Sequence, residues 1–87
     1  MLFKQIDHHY WESAEGYRIS RAVIDGVEKY SAWAPETKKT TAGKLFTEYK
    51  LLMVSLGFKA SQLKCESYEH GKIQAELLRQ SLRKGQK

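Results

Sequence analysis

Arginine and lysine side chains interleaved with tryptophan and tyrosine are the residues of this 87-residue chain best suited to a chemical task. Cations hold phosphates or carboxylates, and aromatic rings give a base or an apolar group a surface to stack on. They are most legible in the stretch YRISRAVIDGVEKYSAW, Tyr17 to Trp33, where Arg18, Lys29 and Trp33 are candidate contacts. Lys38, Lys39, Lys44 and Lys50 follow in the middle of the chain, and Arg79, Arg83 and Lys84 near its end. Each group also has a plainer reading. Arg18 beside Trp33 is a local cation–π contact of about 0.5–1 kcal/mol, and cations in a last helical turn are favoured by the helix dipole at about 0.3–1 kcal/mol each.

Other chemistries find little support in the residue spacing. His8 and His9 are adjacent, and on a strand neighbours point to opposite faces and cannot chelate one ion. Cys65 and His70 are five apart, which on a helix puts them on different sides and defeats a nucleophile–base pair. Glu66 and Glu69 share a helix face, but Lys64 and Lys72 beside them make solvated pairing the expected role. No phosphate-binding glycine loop, dinucleotide fingerprint or nucleophile elbow occurs in the sequence. The expectation is a binding protein without catalytic residues, metal or cofactor.

Charge sharpens the choice of partner. Residues 1–36 carry four basic and six acidic side chains, whereas residues 37–87 carry eleven basic and four acidic, so a net −2 is followed by a net +7. A positive field of that size favours an acidic partner, with nucleic acid the first candidate. Alternatively, the basic surface matches an acidic or nucleic-acid-binding surface on a target protein, anchored by Trp33, Trp11, Tyr17 and Arg18.

These residues need elements to position them. Asp25-Gly26 is suited to a two-residue type I′ turn, because both of its central residues need positive φ. That turn pairs Ile24 with Val27, Arg21 with Tyr30 and Arg18 with Trp33. One face of the hairpin then carries Tyr17, Ile19, Val23, Tyr30 and Ala32, interrupted by Arg21 and Glu28; the other carries Arg18, Ser20, Ala22, Lys29, Ser31 and Trp33. A three-residue loop with a bulge would instead put Tyr17, Ile19, Arg21, Lys29 and Trp33 together and separate apolar from polar less well. Ser13 to Gly16 reads as a second turn. Phe3 to Trp11 becomes a first strand with Ile6 and Tyr10 on one side and Phe3 and Trp11 on the other, and Pro35 ends the third strand.

After Pro35, Leu45, Tyr49, Leu52, Met53 and Leu56 recur at steps of three and four, which predicts a helix over 40–57 capped by Thr40 or Thr41 and closed by Gly57. The competing reading makes LLMVSLGF a fourth strand. A second helix is expected over 61–84, with Leu63, Ile73, Leu77 and Leu78 on one flank, Gly71 as a weak point, and 85–87 as a tail. The expected fold is thus α+β in one domain: a three-stranded antiparallel β-meander over 1–35 followed by two helices packed on one face.

The pattern W-E-S-x-x-G-Y-R-I-S-R-A-V-I-D-G-x-x-x-Y-x-A-W-x-P, from Trp11 to Pro35, resembles small phage and prophage accessory proteins. Those with known roles include DNA-binding regulators and inhibitors of host defence such as anti-CRISPR proteins. The resemblance implies a shared scaffold more than a shared activity. The net +7 of the second half, together with the Arg18, Lys29 and Trp33 hairpin, sets the functional expectation: a protein of phage or prophage type that engages nucleic acid or a host nucleoprotein complex through a basic helical half, with the alternative of an anti-CRISPR-like inhibitor that occludes a nucleic-acid-binding surface of a host defence protein. A bacterial cytoplasmic location fits the single cysteine and the interrupted apolar N-terminus MLFKQIDHHYW. A homodimer through an exposed sheet edge is a further expectation.

Overall fold

Every strand of this protein is joined to the next by a turn tight enough to keep consecutive strands adjacent. A computed structural model describes the backbone of residues 1–84 and the side chains of residues 1–82. Five strands, β1 (Phe3–Asp7), β2 (Tyr10–Ser13), β3 (Arg18–Ile24), β4 (Val27–Lys39) and β5 (Leu45–Ser55), form one antiparallel sheet in the order β1-β2-β3-β4-β5. One helix, α1 (Phe58–Lys84), follows.

The β3–β4 hairpin has the register that Asp25-Gly26 dictates. Asp25 has φ 52° and Gly26 φ 75°, and the pairs Ile24–Val27, Arg21–Tyr30 and Arg18–Trp33 all form. Ser13 and Gly16 close the β2–β3 turn as expected: Ser13 N–H donates to Tyr17 O, Tyr17 N–H donates to Ser13 Oγ, and Gly16 takes φ 95°.

Four expectations are corrected. Phe3 to Trp11 is not one strand; Asp7 Oδ1 accepts the His9 N–H at 2.7 Å, and the chain reverses at His8-His9. Phe3 and Trp11 nonetheless share the helix-facing side, both packing their rings on Phe58. Pro35 does not end the third strand, because β4 runs on to Lys39. Pro35 lies past the last β3–β4 pair, Arg18–Trp33, so β4 has a strand neighbour there only on the β5 side, and a missing N–H is tolerated.

The helix expected over 40–57 is absent, its place taken by the end of β4, a turn and β5. Thr40 serves the turn instead of a helix cap, donating its N–H to Lys44 O and accepting the Lys44 N–H at Oγ1, while Gly43 takes φ 86°. A single helix therefore replaces the expected pair, continuous through Gly71, and Gly57 precedes it rather than closing an earlier one. The fold remains α+β, with a five-stranded sheet instead of a three-stranded meander. The tail 85–87 lies outside the described residues.

The core is small: Tyr17, Ile19, Ala32, Ala34 and Cys65 are fully buried, flanked by Phe3, Trp11, Tyr30, Leu52, Met53, Phe58 and Tyr68. It sits between one face of the sheet and the first half of α1. Tyr17 OH donates to Glu69 Oε2 (2.5 Å), and Ser61 Oγ donates to Tyr30 O (3.0 Å), so polar bonds tie the helix to the sheet at two levels. From His70 to Leu82 every residue of α1 is exposed. The radius of gyration, 16.2 Å, exceeds the roughly 12 Å of a compact chain of this length. The excess comes from two projecting arms, the outer part of the β4–β5 hairpin and the second half of α1.

Candidate nucleic-acid interface on the open sheet face

Because α1 covers one face of the sheet, the alternate residues of each strand are left on an open face. The register places Tyr10 beside Ser20, Glu12 beside Arg18, Arg18 beside Trp33, and Ala22 beside Lys29. Across β4, Trp33 is opposite Leu51 and Pro35 opposite Tyr49. Tyr10, Arg18, Ser20, Trp33 and Tyr49 line a shallow depression of about 220 Å³ at the centre of this face. That is smaller than the 300–1,000 Å³ usual for enclosed small-molecule pockets, and its walls are flat rings.

The Arg18 guanidinium lies 3.8 Å from the centre of the Tyr49 ring and 5.5 Å from that of Tyr10. Trp33 Nε1 donates to Ser20 Oγ at 3.1 Å, which fixes the indole at the rim. No carboxylate forms an ion pair with Arg18 among the described residues, and its Nε is buried without a hydrogen-bond partner. Glu12, the nearest acidic neighbour by register, instead accepts from Tyr10 OH at 3.5 Å. Burial pushes the Tyr10 phenol above its ordinary value, an effect opposed by the Arg18 charge, so the ring stays neutral at physiological pH. Among the described residues the cluster is a cation without an ion-pair partner, flanked by two tyrosine rings with the Trp33 indole at the rim.

No known protein family, curated protein or solved structure matches this chain. Function must therefore be read from the geometry.

The candidate cations do not form one surface. Arg18, Lys29 and Trp33 share the open face as the register requires. Lys38, Lys39, Lys44 and Lys50 are on the β4–β5 hairpin and its turn, not before or along a helix. Lys38 is taken by Glu48 at 2.8 Å, which raises its pKa, and Lys39 and Lys44 are exposed beside the turn. Lys50 points to the helix side, its Nζ 5.8 Å from the Tyr68 ring centre with Lys72 Nζ at 5.9 Å. Arg79 pairs with Glu76 at 3.6 Å on the projecting helix. Arg83 and Lys84 are in the last turn of α1, beyond the described side chains.

Of the other proposed anchors, Tyr17 is buried in the core, and Trp11 is half-buried, packed against Tyr30 and Phe58 on the helix side. Tyr10 and Tyr49 are the members that the sequence did not disclose. Asp7 ahead of His8-His9 signals the turn that brings Tyr10 to Ser20, whereas Tyr49 was hidden by the helical reading of its segment.

The remaining chemistry-bearing residues do not converge. His8 and His9 sit in the β1–β2 turn rather than on a strand, and His9 Nδ1 accepts from Arg21 Nε. Among the described residues no three His, Cys, Asp or Glu side chains come together as metal ligands. Cys65 is buried against the sheet while His70 is exposed, and burial lifts the thiol to about 11. Glu66 and Glu69 are engaged structurally, by the Met1 ammonium at 3.3 Å and by Tyr17 OH. No helix among the described residues is long and apolar enough to cross a membrane.

Proposed function

We propose that this protein is a non-enzymatic binding module that takes a single-stranded nucleic acid on its open sheet face. The observation that carries this reading is the unpaired Arg18 cation stacked on Tyr49 and Tyr10 beside the fixed indole of Trp33. A flat aromatic platform accepts any base, and a cation within it attracts the phosphate that every nucleotide brings. Lys29 extends the same face along β4 toward the β3–β4 turn, and Lys39 lies at the far end of that strand. The strand rises about 3.3 Å per residue, so Lys29 to Lys39 spans roughly 33 Å, enough for several nucleotides. A rigid duplex offers no unstacked bases to such a platform.

Exposed apolar residues on the same face, Ile24, Val27, Leu51 and Val54, favour a second reading. In it the face covers a nucleic-acid-binding surface on another protein, as a phage-encoded inhibitor of host defence does. A binding titration separates the two. A labelled oligothymidine of roughly 20 nucleotides should bind at low salt, with Trp33→Ala weakening it by about 5- to 150-fold, the equivalent of 1–3 kcal/mol per stacked base. Absence of binding, or equal affinity of the Trp33→Ala variant, removes the nucleic-acid reading; a protein partner retained from nuclease-treated lysate and lost in the same variant supports the inhibitor.

A further inference from the structure

The rings of the open sheet face accept any base, but the group held between them is selective. Arg18 offers donors and no acceptor, in a planar fork of fixed geometry. Its Nε is buried without a hydrogen-bond partner, and among the described residues no carboxylate pairs with the guanidinium. The two Nη atoms are not buried in this way, so a ligand meets the fork end-on, at two parallel N–H donors. Beside it, Ser20 Oγ accepts from Trp33 Nε1, which leaves the Ser20 hydroxyl hydrogen to donate as well.

The surroundings decide what such a fork holds. A phosphate loses much of its hydration in a depression walled by Tyr10, Tyr49 and Trp33, whereas the neutral edge of a base loses little. At about 220 Å³ the depression has room for one base and not for a stack of them. Lys29 lies on the same face outside the depression and is better placed for the phosphate.

We infer that this depression selects guanine in a single strand, with Arg18 donating to the O6 and N7 atoms of the base. The inference rests on the nucleic-acid reading of the same face and adds a base preference to it. Two parallel donors need two adjacent acceptors, and guanine presents them at O6 and N7. Adenine sets an amino group beside its N7, and thymine sets a ring N–H beside its O4. Each therefore opposes one Arg18 donor with another donor. Cytosine has adjacent acceptors at O2 and N3, but its O2 is next to the ring nitrogen that carries the sugar. Entry by that edge would push the sugar into the depression, whereas the O6 and N7 edge of guanine points away from its sugar.

Fluorescence anisotropy on the full chain at low salt measures the preference. The probes are labelled oligothymidines of roughly 20 nucleotides that carry guanine, adenine or cytosine at every third position, so that most binding registers meet the base. The guanine probe should bind at least about 5-fold more tightly than the other two and than plain oligothymidine, the lower bound for one bidentate base contact. Replacing guanine with 7-deazaguanine, which lacks the N7 acceptor, should cut that advantage to less than about 2-fold, and Arg18→Lys, which keeps the charge and loses the fork, should do the same. The 7-deazaguanine comparison uses the unaltered protein, so its outcome is independent of how the substitution affects folding. Equal affinity for the guanine and adenine probes overturns the inference and leaves the single-strand reading intact. So does an advantage that survives 7-deazaguanine, or a cytosine probe bound as tightly as the guanine one. Failure of every probe to bind overturns both.

Discussion

Arg18 is the residue on which the nucleic-acid reading turns, because it has no ion-pair partner among the described residues while its guanidinium lies on the Tyr49 ring. A lysine keeps the charge and loses the planar stacking and the fork geometry. Arg18→Lys should therefore weaken oligonucleotide binding several-fold in a fluorescence-anisotropy titration, and Arg18→Ala more. Tyr17 and Cys65 make a different, pH-linked prediction. Burial is the main cause of both shifts: it raises Cys65 from 9.0 to about 11, and with the Glu69 hydrogen bond it lifts Tyr17 well above its usual range. Both groups are folded as neutral species, so the native state holds more protons than the unfolded one above pH 9, and stability falls as pH rises. The Cys65 contribution is complete below pH 9 and lost by about pH 11, on the order of 2–3 kcal/mol at most. Denaturant midpoints measured from pH 8 to 11 should decline, and less steeply in Cys65→Ala.

Among the elements, the β3–β4 hairpin was legible from two residues, since Asp25-Gly26 permits a narrow set of turns and the turn fixes each cross-strand pair. The face division that follows from it placed Tyr17, Ile19 and Ala32 in the core and Arg18, Lys29 and Trp33 on the open side; Val23, assigned to the core face by the same division, is exposed near the hairpin end. β5 was misread for an equally local reason. Its pairing with β4 skips Leu52, a bulge that lets Leu52 and Met53 both pack on the core. Two consecutive core residues break strand alternation, and with Tyr49 and Leu56 they imitate the three-and-four spacing of a helix. The misreading cost the candidate site its Tyr49. At the β2–β3 turn, Gly16 has φ 95°, and a Cβ there would stand 3.3 Å from Pro35 Cγ. Gly16→Ala should therefore lower stability by about 1–2 kcal/mol in chemical denaturation, combining left-handed strain with that contact.

At the scale of the whole molecule, a small core holds one side of the sheet to half a helix, and the rest of the surface is available for binding. The +7 of the second half was visible in the sequence, but its distribution was not. Ion pairs with Glu48 and Glu76 occupy Lys38 and Arg79, and Lys50 is turned to the helix side. The number of phosphates neutralised should accordingly be small. With two or three contacts, the logarithm of the association constant should fall against the logarithm of salt concentration with a slope of about −1.4 to −2. The most direct test of the central claim uses the two tryptophans, Trp11 in the packed layer and Trp33 on the open face. In a Trp11→Phe background, Trp33 fluorescence should be quenched as oligothymidine is added at low salt, with quenching lost in Tyr49→Ala and Arg18→Ala and little produced by duplex of equal length. Unchanged Trp33 emission at saturating oligonucleotide, or equal quenching by duplex, would contradict the account.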